Sequence, residues 1–331
     1  MKWSTFSPIS KEEIKAQISK DLKGKSYDEI IWNHPSGIGI EPYLNLESDI
    51  KPIKLNLSSQ DWSVIQRVNL TDIRMAQSEA LFALQHGVNA LYFDFADVKG
   101  PIDFDVLFDG ILIEHIQIHL RNINDVNQAS LEAYIAEKGY AVKHCFGSSD
   151  CLQANRDYFK NKRIHIKEGL DFASIADQIY SLIQDLNQDI HTCDQYFFEV
   201  ELGSEFFIEV AKMRALRLLW DGIISKFKLN NTATMLAITS ASNIKLEDGH
   251  TNILRATTEA MSAIIGNCDG LLIHPHDLND RNHASLRISQ NIQLLLKEES
   301  GFNFMTDPGN GSYYIDQLTH HIAENIWNRI P

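Results

Sequence analysis

Nothing in the 331 residues approaches the roughly 20-residue apolar run needed to cross a bilayer. The start, Met1-Lys2-Trp3, leads into polar sequence rather than an apolar signal core. Basic residues are in deficit, 30 Lys+Arg against 44 Asp+Glu, a formal net charge of −14. Such an excess of carboxylate repels phosphate backbones and anionic headgroups, which excludes nucleic acid and membrane surfaces as general partners. Cysteine is scarce: Cys145, Cys151, Cys193 and Cys268 lie far apart, with no CxxC pair. Reduced thiols fit that spacing better than a disulfide framework, so the expected location is the cytoplasm. The sequence also has no HExxH, no GxSxG and no complete GxGxxG, and no repeat of fixed period that would indicate a solenoid or propeller.

Several partial motifs fail on inspection. Gly24-Lys25-Ser26 imitates the end of a phosphate-binding loop, but Ser19 stands where the glycine five positions earlier should be, and a helix precedes it instead of a strand. His274-Pro275-His276-Asp277 with His283 could converge on a metal, yet the run reads better as a polar loop at a strand end, and no metal is expected. His320 and His321 are adjacent and point to different helix faces.

What is present falls into two parts. Residues 1–60 read as an amino-terminal helix and an extended arm. Ser10-Lys11-Glu12-Glu13 is a capping box that starts a helix over about 10–22, and residues 33–60 carry Pro35, Gly37, Gly39, Pro42 and Pro52 with little periodicity. From 61 to 331, β-type and helix-type patterns alternate, the signature of parallel βαβ units. The spacing predicts strands at Ser63–Leu70, Ala90–Phe95, Glu114–Leu120, Ala141–Phe146, Arg163–Ile166, Gln195–Glu201, Thr234–Thr239 and Gly270–His274. Helical patterns fall at 72–86, 101–109, 128–138, 171–187, 204–228, 252–265, 282–299 and 315–329. Helix 204–228 is the clearest. Phe206, Val210, Met213, Trp220, Ile223 and Phe227 recur at helical spacing, with Glu209/Lys212 and Arg217/Asp221 expected to pair on its polar side. Eight such units in roughly 270 residues predict a (β/α)8 TIM barrel.

Two groups of residues then stand out as candidates. His165 and Lys167 alternate along a short strand and would project toward the barrel axis or its carboxyl-terminal mouth. The stretch Thr234–Asn243, with Ser240 and Asn243, carries small hydroxyl and amide groups past a strand end, where they would line a polar cavity or pack tightly between strand and helix.

The carboxyl-terminal third carries more. Asn252-Ile253-Leu254-Arg255-Ala256, Glu259-Ala260-Met261, Arg287-Ile288-Ser289-Gln290-Asn291-Ile292-Gln293, Glu298-Glu299-Ser300-Gly301 and Asp307-Pro308-Gly309-Asn310-Gly311-Ser312-Tyr313-Tyr314 resemble, in order and spacing, the barrel domain of methylmalonyl-CoA mutases. So does Phe206-Phe207-Ile208-Glu209-Val210-Ala211-Lys212-Met213-Arg214-Ala215 upstream. The resemblance is strong from about 195 to 331, weaker over 60–195, and includes Lys20-Asp21-Leu22-Lys23-Gly24 near the start. It implies a barrel threaded by coenzyme A, adenosylcobalamin on its mouth, and radical rearrangement of a methylmalonyl or succinyl group.

The departures from that family decide the functional expectation. Members that bind cobalamin carry a separate Rossmann-like domain with an Asp-x-His-x-x-Gly motif. Asp248-Gly249-His250 matches its start but has Ile253 in place of the glycine, and no cobalamin-binding domain is expected here. Catalytic members read Trp-Thr-Ile-Arg-Gln-Tyr around the first strand; this chain reads Trp62-Ser63-Val64-Ile65-Gln66-Arg67. Of the Tyr-His pair on strand five, His165 is retained and Ile164 replaces the tyrosine. Leu91-Tyr92-Phe93-Asp94-Phe95 and Tyr196-Phe197-Phe198-Glu199-Val200 would send large aromatics toward the axis, so a filled bore is expected. The expectation is therefore the small, structural subunit of a heterodimeric methylmalonyl-CoA mutase, without catalytic residues of its own. It would bind no cofactor alone, and adenosylcobalamin would sit on the large partner; without that partner, a homodimer could occupy the same surface. The alternative is the catalytic barrel of a split acyl-CoA mutase with a separate cobalamin chain. Arg67, Arg163, His165, Lys167, Ser240 and Asn243 would then be its substrate-binding candidates, the arginines pairing with phosphate or carboxylate. A third reading, an unrelated barrel lyase using Lys167, offers no second catalytic residue.

Overall fold

The computed structural model describes residues 9–45, 50–57, 61–140, 146–147, 161–187, 195–229, 233–278 and 282–331. The amino-terminal part opens with α1 (Lys11–Asp21), whose capping box is formed as expected: Glu13 N–H donates to Ser10 Oγ, and Ser10 N–H to Glu13 Oε2 at 2.8 Å. Gly24 at φ +98° follows the end of this helix, and Ser26 caps the next short turn, so the Gly-Lys-Ser tripeptide is a helix terminus. A hairpin of β1 (Trp32–Asn33) and β2 (Gly39–Ile40) comes next. Ile38 and Ile40 are buried in the main core, and His34 reaches Glu205, which ties this hairpin to the rest of the chain.

The main body alternates strands and helices: β3 (Ser63–Val68), α2 (Ile73–Gln85), β4 (Ala90–Asp94), α3 (Phe104–Leu107), β5 (Gln117–Arg121), α4 (Asp125–Lys138), β6 (Phe146–Gly147), β7 (Asn161–Ile166), α5 (Phe172–Asn187), β8 (Gln195–Glu201), α6 (Phe206–Phe227), β9 (Ala233–Ile238), α7 (Gly249–Ile265), β10 (Gly270–Leu272), α8 (His283–Leu294) and α9 (Tyr313–Trp327). Seven of the eight expected strands correspond to observed ones. The third begins three residues late because Ile113–His115 forms a 3-10 turn, and of the fourth only Phe146 falls within the described residues. Cys145, Cys151 and Cys193 also lie outside them, while Cys268 is a buried free thiol. The second expected helix contracts to one turn, and a π-helical turn, Leu295–Glu299, extends α8. Side-chain caps at Asp72, Asn124, Asp248, Asn282 and Ser312 begin α2, α4, α7, α8 and α9.

The eight body strands form one parallel sheet in the order β6-β5-β4-β3-β10-β9-β8-β7, with the first strand paired to the last. That is the order of a parallel barrel opened between β6 and β7. The sheet is curled. Tyr92 on β4 donates to Glu199 on β8 at 2.9 Å, although β3, β10 and β9 intervene in the sheet. Alternation then separates two faces. Leu91, Phe93, Ile118 and Leu120 face one helical cluster, and Ile164, Ile166, Tyr196, Phe198 and Val200 face another. Ile65, Ala90, Tyr92, Phe197, Leu236, Ile238 and Leu272 meet on the concave side.

The clearest correction to the sequence reading concerns α6. Glu209 and Lys212 do not line a solvent-facing side: both are buried and paired at 2.6 Å, and Lys212 also donates to the Glu201 carbonyl at 3.0 Å. Burial outweighs that cation and pushes the Glu209 carboxyl above its usual range. Arg217 pairs with Asp269 at 2.8 Å rather than with Asp221. Arg214, also buried, pairs with Asp316 on α9 at 2.8 Å and with Asp307 in the loop before α9.

Candidate functional site

Strands in a parallel barrel present their carboxyl ends to one rim, where binding and catalytic groups belong. Here the inward side chains of β4, β5, β7 and β8 converge on one carboxylate. Glu199 is completely excluded from solvent. Its Oε2 accepts from the Tyr92 hydroxyl at 2.9 Å and from Arg163 Nη1 at 3.3 Å, and its Oε1 from Arg121 Nη1 at 3.0 Å. Burial and the Glu199 charge raise the Tyr92 hydroxyl pKa, so this phenol stays protonated as a donor. His165 Nε2 stands 3.0 Å from Glu201 and 3.7 Å from Glu199. Below this charged layer lie His119, 1% exposed, and Phe197, 4% exposed, with ring centroids 6.1 Å apart. Neither ring nitrogen of His119 has a hydrogen-bond partner, and burial drives its pKa down to about 4.

The concave side is tightly packed around β10. A methyl group on Gly270 of β10 would lie 2.8 Å from both Ile65 and Leu236 side chains. At the rim, Arg67 pairs with Asp94 at 3.1 Å, and Asn122 donates to the same carboxylate at 2.8 Å. Beside them is a cavity of about 200 Å³ bounded by Arg67, Asn69, Thr71, Asp94 and Asp97. That is below the roughly 300–1,000 Å³ that encloses a drug-sized ligand.

A second polar group ties the loops after β7 and β9. Ser240 and Ser242 hydroxyls donate to Glu168, the latter at 2.7 Å. Glu259 on α7 accepts from Ser240 N–H at 2.9 Å and from Asn243 Nδ2 at 2.6 Å. Burial lifts the Glu259 carboxyl to about 7 against those bonds, with Glu209 and Glu168 adding like charge.

The six sequence candidates are thus divided. Arg163 and His165 share the Glu199 cluster, Arg67 sits at the neighbouring rim pair, and Ser240 and Asn243 belong to the Glu168–Glu259 group. Lys167 stands exposed just beyond the carboxyl end of β7, which finishes at Ile166, and among the described residues no contact joins it to any of these groups. Glu199, Arg121, Tyr92 and His119 were not singled out as site residues. A signal for them existed in the polar residues that alternate with apolar ones along Leu91–Asp94, Ile118–Arg121 and Phe197–Glu201. Of the remaining histidines, His276 is near Ser285, whereas His283 stacks on Phe82 at 4.3 Å. Asp248 is spent capping α7 and His250 stands on its first turn, so that tripeptide does not fit a loop histidine offered to cobalamin.

Comparison with known proteins gives the same direction as the motifs. Residues 182–331 match the family model described as methylmalonyl-CoA mutase. Over that stretch the chain is similar to methylmalonyl-CoA mutases. Over 98% of its length it is 28% identical to the methylmalonyl-CoA mutase small subunit of Porphyromonas gingivalis, covering 63% of that protein. It is 24% identical to the methylmalonyl-CoA mutase of Cereibacter sphaeroides over 93% of its length, covering 56% of that protein. It is also 35% identical over 39% of its length to the large subunit from Propionibacterium freudenreichii subsp. shermanii, covering 18% of that protein. The chain therefore spans less than two thirds of these relatives, and mutase relatives include both small and large subunits.

Proposed function

We propose that this chain is the small subunit of a heterodimeric, adenosylcobalamin-dependent methylmalonyl-CoA mutase that interconverts methylmalonyl-CoA and succinyl-CoA. Its own role is structural, and the large partner holds the cofactor and carries the chemistry. The observation that supports this most is the filled bore. Ile65, Tyr92, His119, Phe197, Glu199, Leu236 and Leu272 are all nearly or wholly buried where a threaded coenzyme A would need an open channel. We read the sheet as a closed (β/α)8 barrel, which puts these residues on its axis.

Five of the six candidate substrate contacts are already engaged within the chain: Arg67 by Asp94, Arg163 by Glu199, His165 by Glu201, Ser240 by Glu168, and Asn243 by Glu259. A protein supplies position and electrostatics to a cofactor reaction, and side chains locked on one another supply neither to a substrate. The amino-terminal residues fit an arm that lies on the partner, since α1 buries none of its side chains in this chain alone. Such an interface would exceed about 2,000 Å² in a permanent heterodimer. A cytoplasmic location accords with the acidic composition; among the described residues no helix is long and apolar enough to cross a membrane.

The test is reconstitution. Mixed with a large mutase subunit, the chain should co-elute as a 1:1 complex with turnover of methylmalonyl-CoA. Mixed with a free cobalamin-domain protein and no large subunit, it should give none. Appreciable turnover in that second mixture would reverse the assignment in favour of a split catalytic barrel.

A further inference from the structure

Viewed from its partners, Glu199 is the occupant of a receptor. Tyr92 from β4, Arg121 from β5 and Arg163 from β7 each aim a donor at its carboxylate, at 2.9, 3.0 and 3.3 Å, with His165 at 3.7 Å. The two oxygens are served separately, Oε1 by Arg121 and Oε2 by Tyr92 and Arg163. Two guanidinium groups, each giving one N–H, plus a phenol on a desolvated two-oxygen anion is the chemistry by which proteins recognise carboxylates. Only the ligand's attachment is unusual: it belongs to β8 of the same sheet.

We propose that the bore contains a carboxylate-binding site filled by the chain's own Glu199, and that it accepts a small free monocarboxylate once that side chain is removed. A tethered carboxylate faces its receptor at an effective concentration no free acid reaches, so the intact chain should ignore carboxylates in solution. Removing Glu199 would leave two guanidinium groups and a phenol in a pocket the size of the deleted side chain, close to acetate in volume. The pocket is within reach of the rim, because the Arg121 and His165 side chains are 26% and 22% exposed. Acetamide, isosteric but neutral, and chloride, a single-centre anion, would not satisfy the same donors. The proposal concerns the bore alone and stands whether or not the chain has a large partner.

The experiment is chemical rescue of the full-length Glu199→Ala variant. Thermal unfolding is followed in 0 to about 200 mM sodium acetate, with sodium chloride added to hold ionic strength constant. Breaking a buried pair of this kind should lower the midpoint by about 5–10 °C. Acetate should restore at least half of that loss saturably, with acetamide and chloride inert and the wild type unmoved. Adding Arg121→Met to the variant should abolish the rescue. If Glu199→Ala does not fold unaided, refolding from urea replaces melting, and acetate must raise the folded yield several-fold over equal chloride. Acetate no better than chloride, in either format, overturns the proposal, and so does rescue that survives loss of Arg121.

Discussion

At the scale of single residues, the bore shows how a buried polar group is tolerated by pairing or by giving up its charge. Glu199 is paired, drawing donors from three other strands. His119 takes the second course: with no partner for either nitrogen, it stays neutral because burial depresses its pKa to about 4 from an unfolded value near 6.5. The folded state therefore resists a proton that the unfolded state binds. Stability from this residue is full above pH 6.5 and drains away as the pH falls toward 4, by about 3 kcal/mol over the whole window. Urea unfolding of wild type and His119→Phe at pH 7.5 and pH 5 should show the difference between them shifting by about 2 kcal/mol in favour of the variant at pH 5. A pH-independent difference would mean that His119 is not held neutral. Part of this layer was legible, since alternation marks Tyr92, His119, Arg121 and Glu199 as sharing one face of their strands. What alternation does not encode is which face-mates meet. Tyr92 and Glu199 are 107 residues apart, and only the curl of the sheet makes them partners.

At the scale of elements, α6 illustrates the limit of reading a helix from its apolar stripe. The stripe is where it was expected, but a helix packed between a sheet and α9 has little solvent-facing side left. The charged residues in its first half are therefore buried with their partners. Arg214 joins α6 to α9 through Asp316 and to the preceding loop through Asp307. This gives a physical role to the Asp307-Pro308-Gly309 motif, which was recognisable by resemblance before its function in packing was visible. Gly309 packs closely there: a Cβ would press on Ile315 at 3.2 Å and touch the Arg214 guanidinium at 3.6 Å. Arg214→Met should cost about 3–5 kcal/mol in urea unfolding, since it strands two carboxylates in a dry interface. A loss under about 1 kcal/mol would mean that water reaches and relaxes the site. The amino-terminal hairpin is held in a related way. His34 Nδ1 accepts from Ser36 N–H at 3.1 Å, so its Nε2–H donates to Glu205 at 2.7 Å. No short-range pattern reveals that contact, because its ends are 171 residues apart.

At the scale of the molecule, the order of strands and helices followed from periodicity, and the likeness to methylmalonyl-CoA mutases from motifs in the last third of the chain. The state of the bore needed both: alternation to send Tyr92 and Phe197 inward, and the curled sheet to bring them within reach of residues on other strands. The combination of a carboxyl-terminal half similar to methylmalonyl-CoA mutases and a concave side filled with aliphatic, aromatic and internally paired charged side chains is the basis for proposing a supporting role. Isothermal titration of the isolated chain with methylmalonyl-CoA and succinyl-CoA, repeated after mixing with the large subunit, tests that assignment most directly. The account predicts no saturable heat from the chain alone and binding of one acyl-CoA per heterodimer in the mixture. Saturable binding to the isolated chain at micromolar concentration would contradict it, because the account requires that the filled concave side leave no room for the ligand.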